Sequence, residues 1–191
     1  MFRIRIPRLR TANLLSDIQG SALLEFAIVL PLLMVFVVGI FDFSGAFNQK
    51  QKIEQAAQEG AIIAAAQPMS DIASSNANPN SLQPVVTAVF NSLAGSGIVS
   101  KASCNPPGTA AHAGSNLKWK YTISPCPYDL TITIDRGWVS ASGSPAAVGT
   151  IVTIVYPYHW RFNSVIQLLF PGAAYAATTN LTESATVHNQ M

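Results

Sequence analysis

From Ala22 to Phe41 the chain offers no charged side chain except Glu25, and from Phe26 to Phe41 nothing charged or strongly polar at all. This block constrains the fold more than any other feature. Its length is close to the ~20 residues that cross a ~30 Å hydrocarbon layer. In lipid only a helix satisfies its own backbone within a single segment. A membrane helix is therefore expected over residues 21–42, with Asp42 marking its outer end. Pro31 and Gly39 lie inside it, as membrane helices tolerate, and Pro31 is expected to bend it locally.

Charge sets the orientation. Arg3, Arg5, Arg8 and Arg10 against Asp17 give the first twenty residues a net charge of +3, and the remainder brings the total to +2. Arginines ahead of the span place the N-terminus in the cytoplasm by the positive-inside rule. The same distribution argues against a nucleic-acid binder, whose basic face belongs on the folded domain. Charged residues make up only 10% of the chain, and hydrophobic ones 49%. The apolar excess is concentrated in the one block, as a membrane span requires. The run is longer than a usual secretory signal core, and no small-residue cleavage site follows it closely. No cysteine stands directly after the span, so a lipoprotein signal is not expected either.

Glu25 stands one turn into the apolar run, where a carboxylate is costly. It is either an interfacial residue that snorkels or one with a cationic partner. The local string Gly20-Ser21-Ala22-Leu23-Leu24-Glu25-Phe26 follows a short basic leader (residues 1–20) and leads into the apolar helix. It resembles the processing site of type IV pilins and pseudopilins, in which a prepilin peptidase cuts after the glycine. Cleavage here would fall between Gly20 and Ser21. Glycine admits the scissile backbone to a tight protease site without a side-chain clash. The new Ser21 amine would be largely protonated at neutral pH. In lipid it needs a counter-charge, and Glu25 lies one helical turn along, on the same or a neighbouring subunit.

The longer run Glu25-Phe26-Ala27-Ile28-Val29-Leu30-Pro31-Leu32-Leu33, then Gly39, then Ala56-Ala57-Gln58-Glu59-Gly60-Ala61, resembles the TadE-like family. Those proteins serve tight-adherence (Flp) pilus systems. Members often carry Arg where this chain has Ile62. Longer relatives with a von Willebrand A domain carry an Asp-x-Ser-x-Ser metal site, which Asp71-Ile72-Ala73-Ser74-Ser75 does not match. The resemblance implies a pseudopilin-like component of the cytoplasmic (inner) membrane, with a pilin-like external domain. It further implies a role in attachment and biofilm formation, no enzymatic activity, no cofactor, and prepilin peptidase and other pilus assembly proteins as partners. The second reading is an unprocessed membrane anchor carrying an external binding domain, which needs neither Gly20 nor Glu25.

Residues 43–191 read as an extracytoplasmic α+β domain. The first stretch, 43–66, is expected to continue the helix, with Lys50 and Glu54 able to pair. Its small apolar face of Ile53, Ala56, Ala57, Gly60, Ala61 and Ala64 is expected to pack on the domain's own sheet, or else to receive a neighbouring helix. Residues 67–81 read as a loop, and residues 82–94 as a helix stopped by Gly95 and Gly97. Residues 102–116 read as a second loop. Strands are expected around Trp119-Tyr121-Ile123, Leu130-Ile132-Ile134 and Ile151-Thr153-Val155, forming a small antiparallel sheet on the exposed helix. Residues 140–149 would join the last two. Val165 to Ala177 is too broken for a second span and reads as a terminal helix or amphipathic segment.

Cys104 and Cys126 would be bridged in an oxidising compartment; two free buried thiols are the alternative. Zinc is not indicated, since no Cys-x-x-Cys or His-x-x-x-His pair occurs. His112, His159 and His188 lie far apart. Tyr156, Tyr158, His159 and Trp160 read as strand-end packing or, less simply, an aromatic binding patch. Asn180-Leu181-Thr182 matches a glycosylation acceptor, a pattern short enough to arise by chance.

Overall fold

The structure, a computed structural model, describes residues 18–73, 78–124, 126–140, 147–162, 167 and 178–189. Two helices precede five strands: α1 (Ile18–Ala66), α2 (Gln83–Gly95), β1 (Thr109–His112), β2 (Lys118–Ile123), β3 (Leu130–Val139), β4 (Val148–His159) and β5 (Thr178–His188). The fold is α+β. The chain divides into two units, with the boundary between Phe41 and Asp42. Pro31 lies inside α1, which is assigned as one helix through it. The leader before Ile18 and nearly all of Val165 to Ala177 lie outside the described residues, as does most of the 140–149 connection.

In the first unit, α1 is apolar on every side. The helix from Gly20 on is long and apolar enough to cross a membrane, with a mean hydropathy of 2.7 over its most apolar stretch and none of that stretch buried. A helix that is hydrophobic all round has no water-facing side, which is the property of a membrane span.

In the second unit the strands form an antiparallel meander in the order β1-β2-β3-β4-β5. Alternation decides which side chains enter the core. Trp119, Tyr121 and Ile123 on β2, Leu130, Ile132 and Ile134 on β3, and Val152, Ile154 and Tyr156 on β4 are all buried. They form one cluster with Ile53, Ala56, Ala57, Ala61 and Ala64 of α1 and with Val85, Val86, Val89, Phe90 and Leu93 of α2. The small apolar face of α1 thus packs within its own domain. Gly60 shows how closely: a Cβ there would lie 2.4 Å from Val89 Cγ2 and 3.4 Å from Val152 Cγ1. A side chain at that position would push α2 and β4 away.

Arg136 is the unexpected core residue. It follows Leu130, Ile132 and Ile134 in the inward register of β3 and is 1% exposed. Its Nη2 donates to the carbonyl of Gln67, just past the end of α1 (3.0 Å). There a cation offsets the unpaired carbonyls of the helix terminus. Burial pulls the guanidinium down from its ordinary pKa, and the charge of Asp71 works the other way. Nearby, Trp119 Nε1 donates to the Ile72 carbonyl (3.2 Å). Together they fix the turn after α1 to the sheet.

Two expectations need correction. Residues 102–116 are not all loop, because β1 pairs with β2 from Thr109↔Thr122 to His112↔Trp119. That strand is four residues with an exposed, alanine-containing pattern, so its own sequence carries no inward face. Lys50 pairs with Glu183 on β5 at 3.2 Å rather than with Glu54. The reversed Lys-to-Glu order is the weaker one on a helix, and a strand carboxylate is within reach. Strand β5 has no counterpart among these expectations: it pairs with β4 over eleven positions, Gly149↔His188 to His159↔Thr178. None of its residues is fully buried, so it carries no strongly inward face.

Candidate functional site at the head of the helix and its collar

Gly20, Ser21, Glu25 and Phe26 all lie on α1, and all are exposed. Gly20 lies within the described part of the helix. Ser21 and Glu25 are one turn apart on one face. Glycine inside a helix is unfavourable by roughly 0.5–1 kcal/mol relative to alanine. At Gly60 packing explains it. At Gly20 packing does not, because a Cβ there meets nothing within 4 Å among the described residues.

A second cluster lies where the apolar stretch ends, and it was not legible in the sequence as a cluster. Asp42 is 6% exposed. The Tyr158 hydroxyl donates to its Oδ1 (3.0 Å) and lies as close to its backbone carbonyl. The Phe162 amide donates to Oδ2 at 2.7 Å. The Tyr158 hydroxyl can come this close because residue 45 is glycine; a Cβ there would sit 2.9 Å from Tyr158 Oη. Around this contact the aromatic rings interlock. Trp160 stands edge-on to both Phe43 (5.2 Å) and Tyr158 (5.0 Å). Trp160 Nε1 donates to Thr179 Oγ1 at 2.7 Å. The far end of β4 is thereby tied to the helix at Asp42. Tyr128 stacks on His159 at 3.8 Å and meets Tyr156 edge-on. Strand-end packing accounts for the aromatic run.

Burial, the bond to Asp42 and the Asp42 charge raise the Tyr158 pKa above its ordinary value, in that order of size, with Arg161 opposing. A raised phenol favours the neutral, donating form, so this contact is kept at neutral pH and lost in strong alkali. Asp42→Ala removes two hydrogen bonds to a charged acceptor. Its expected cost is about 2–3 kcal/mol, against about 1 kcal/mol for Tyr158→Phe. Thermal unfolding of the detergent-extracted chain reads both, and the two midpoints should fall in that order.

A disulfide joins Cys104, in the turn after α2, to Cys126, in the β2–β3 connection. Among the described residues no three of His, Cys, Asp and Glu come together as a metal site would require.

No curated protein and no solved structure matches the chain. A family model does, and its match begins on Gly20 and runs through the Gly60-Ala61 pair. Residues 20–61 match the model of the family described as TadE-like protein.

Proposed function

We propose that this chain is a pseudopilin-like component of a tight-adherence (Flp) pilus assembly and secretion system. It is anchored once in the cytoplasmic (inner) membrane, with its basic N-terminus in the cytoplasm and its α+β domain on the other side. Prepilin peptidase matures it between Gly20 and Ser21. The new Ser21 amine is then neutralised by Glu25, within the chain or in a neighbouring subunit, before it is committed to lipid. The other proteins of the pilus machine are its partners.

One observation carries this reading. A glycine whose Cβ position meets nothing within 4 Å among the described residues sits at the first residue of the TadE-like match, inside the helix that is long and apolar enough to cross a membrane.

Gly20→Val tests it. Co-expressed with an active cognate peptidase, the wild-type chain should lose its leader and Gly20→Val should keep it, as read by intact mass. Gly39→Val is the control and should be processed normally, since that glycine also meets nothing within 4 Å. Equal processing of all three chains would contradict the assignment.

A further inference from the structure

The collar around Asp42 leaves an apolar and cationic rim uncovered. Phe43 and Phe47 are 64% and 62% exposed, and they lie one helical turn apart on the same face. Phe43 contacts Trp160, so this face is the one that meets the end of β4. Trp160 is half-buried, and Arg161 beside it is exposed. Phenylalanine at such exposure in a water-facing domain needs an occupant.

The membrane itself is the occupant that fits. Phe43 follows the last residue of the apolar stretch by two positions, so Phe43 and Phe47 fall within the first turns beyond the hydrocarbon. Tryptophan and tyrosine concentrate at that level because one end of each ring is apolar and the other hydrogen-bonds. Trp160 and Tyr158 satisfy their polar atoms within the domain and still present ring surface at the rim. An arginine at the same level meets lipid phosphate with a planar donor fork. The sequence between the two strand ends that meet here, paired as His159↔Thr178, contains no charged residue from position 163 to 177.

We propose that the collar of Phe43, Phe47, Trp160 and Arg161 seats in the headgroup zone of the bilayer from which α1 emerges, and so holds the external domain against the membrane. This rests on the reading that residues 22–41 span that bilayer. The Asp42 contact provides the means. It fixes the end of β4 to Asp42, the first residue after the apolar stretch.

The test uses the full chain in vesicles of mixed zwitterionic and anionic phospholipid, with bromine placed either near the headgroup or deep in the acyl chain. The chain has three tryptophans. Trp119 is 1% exposed within the domain. Trp138 pairs with Gly149, nine residues along β4 from Tyr158, or roughly 30 Å at the usual strand rise. Trp160 is therefore the tryptophan that lipid can reach. Headgroup-level bromine should quench a component of the emission that is lost in Trp160→Phe, and deep bromine should quench it less. Phe47→Trp should add a second headgroup-quenched component. Arg161→Glu should weaken the quenching in anionic vesicles. Alkaline carbonate separates the two readings. A chain that resists carbonate while Trp160→Phe leaves quenching unchanged and Phe47→Trp adds none overturns the collar alone. A chain that carbonate strips overturns the membrane span, and the collar falls with it.

Discussion

Gly60→Leu is expected to unfold the external domain or to lower its stability by at least about 3 kcal/mol. The site is where three elements meet. A Cβ on α1 at this position would be 2.4 Å from Val89 Cγ2 on α2 and 3.4 Å from Val152 Cγ1 on β4. Both valines are fully buried. A β-branched side chain has little rotamer freedom with which to move aside, so relief requires displacing α2. Alanine is the milder case. It gains about 1 kcal/mol of helix propensity over glycine, which offsets part of an overpacking cost of about 1–3 kcal/mol. Gly60→Ala should therefore be destabilising by no more than about 2 kcal/mol net. Gly20→Ala is the contrasting control, since it adds the same methyl group where nothing stands within 4 Å. It should leave the unfolding midpoint of the domain unchanged. Near-ultraviolet circular dichroism during heating follows the buried aromatics and reads all three. Equal midpoints for Gly60→Leu and wild type would contradict the packing described.

The second large effect is expected from the disulfide. Cys104 and Cys126 are 22 residues apart in sequence. Closing a loop of that length removes about 3 kcal/mol of freedom from the unfolded chain in the chain-entropy account. The bond ties the turn after α2 to the start of β3, across the strands β1 and β2, so it closes the least regular part of the domain. The double variant Cys104→Ala, Cys126→Ala should melt about 6–12 °C lower, at roughly 2–4 °C per kcal/mol for a domain of this size. Reductant should produce the same shift in the wild-type chain and none in the variant. A wild-type midpoint indifferent to reductant would contradict a stabilising bridge.

How much of this was legible in the sequence differs by element, for physical reasons. The apolar block announces α1 because a run without charge needs no partner to be recognised. Strands β2, β3 and β4 show themselves through alternation, since each has one buried face. Strand β5 does not: none of its residues is fully buried, and its pairing partners lie 19 to 39 residues upstream, from His159↔Thr178 to Gly149↔His188. Arg136 sits in phase with Leu130, Ile132 and Ile134, so alternation places it inside. Its charge argues for the outside, and inside it is met by the Gln67 carbonyl, 69 residues away, and by the charge of Asp71. The head of the helix is the opposite case. Gly20, Ser21, Glu25 and Phe26 are neighbours in sequence, and the chemistry assigned to them needs no fold to bring them together. The Asp42 collar joins residues 116 and 120 positions apart. The one local hint was a lone carboxylate at the end of an apolar run, with an aromatic cluster elsewhere that lacked any other purpose.

The central claim concerns what happens at Gly20, and the most direct measurement is the N-terminal residue and intact mass of the membrane-extracted chain, made with and without a prepilin peptidase. The account predicts a chain that begins at Ser21 when the peptidase is present and at Met1 when it is absent. A chain that still begins at Met1 beside an active, cognate peptidase would contradict it.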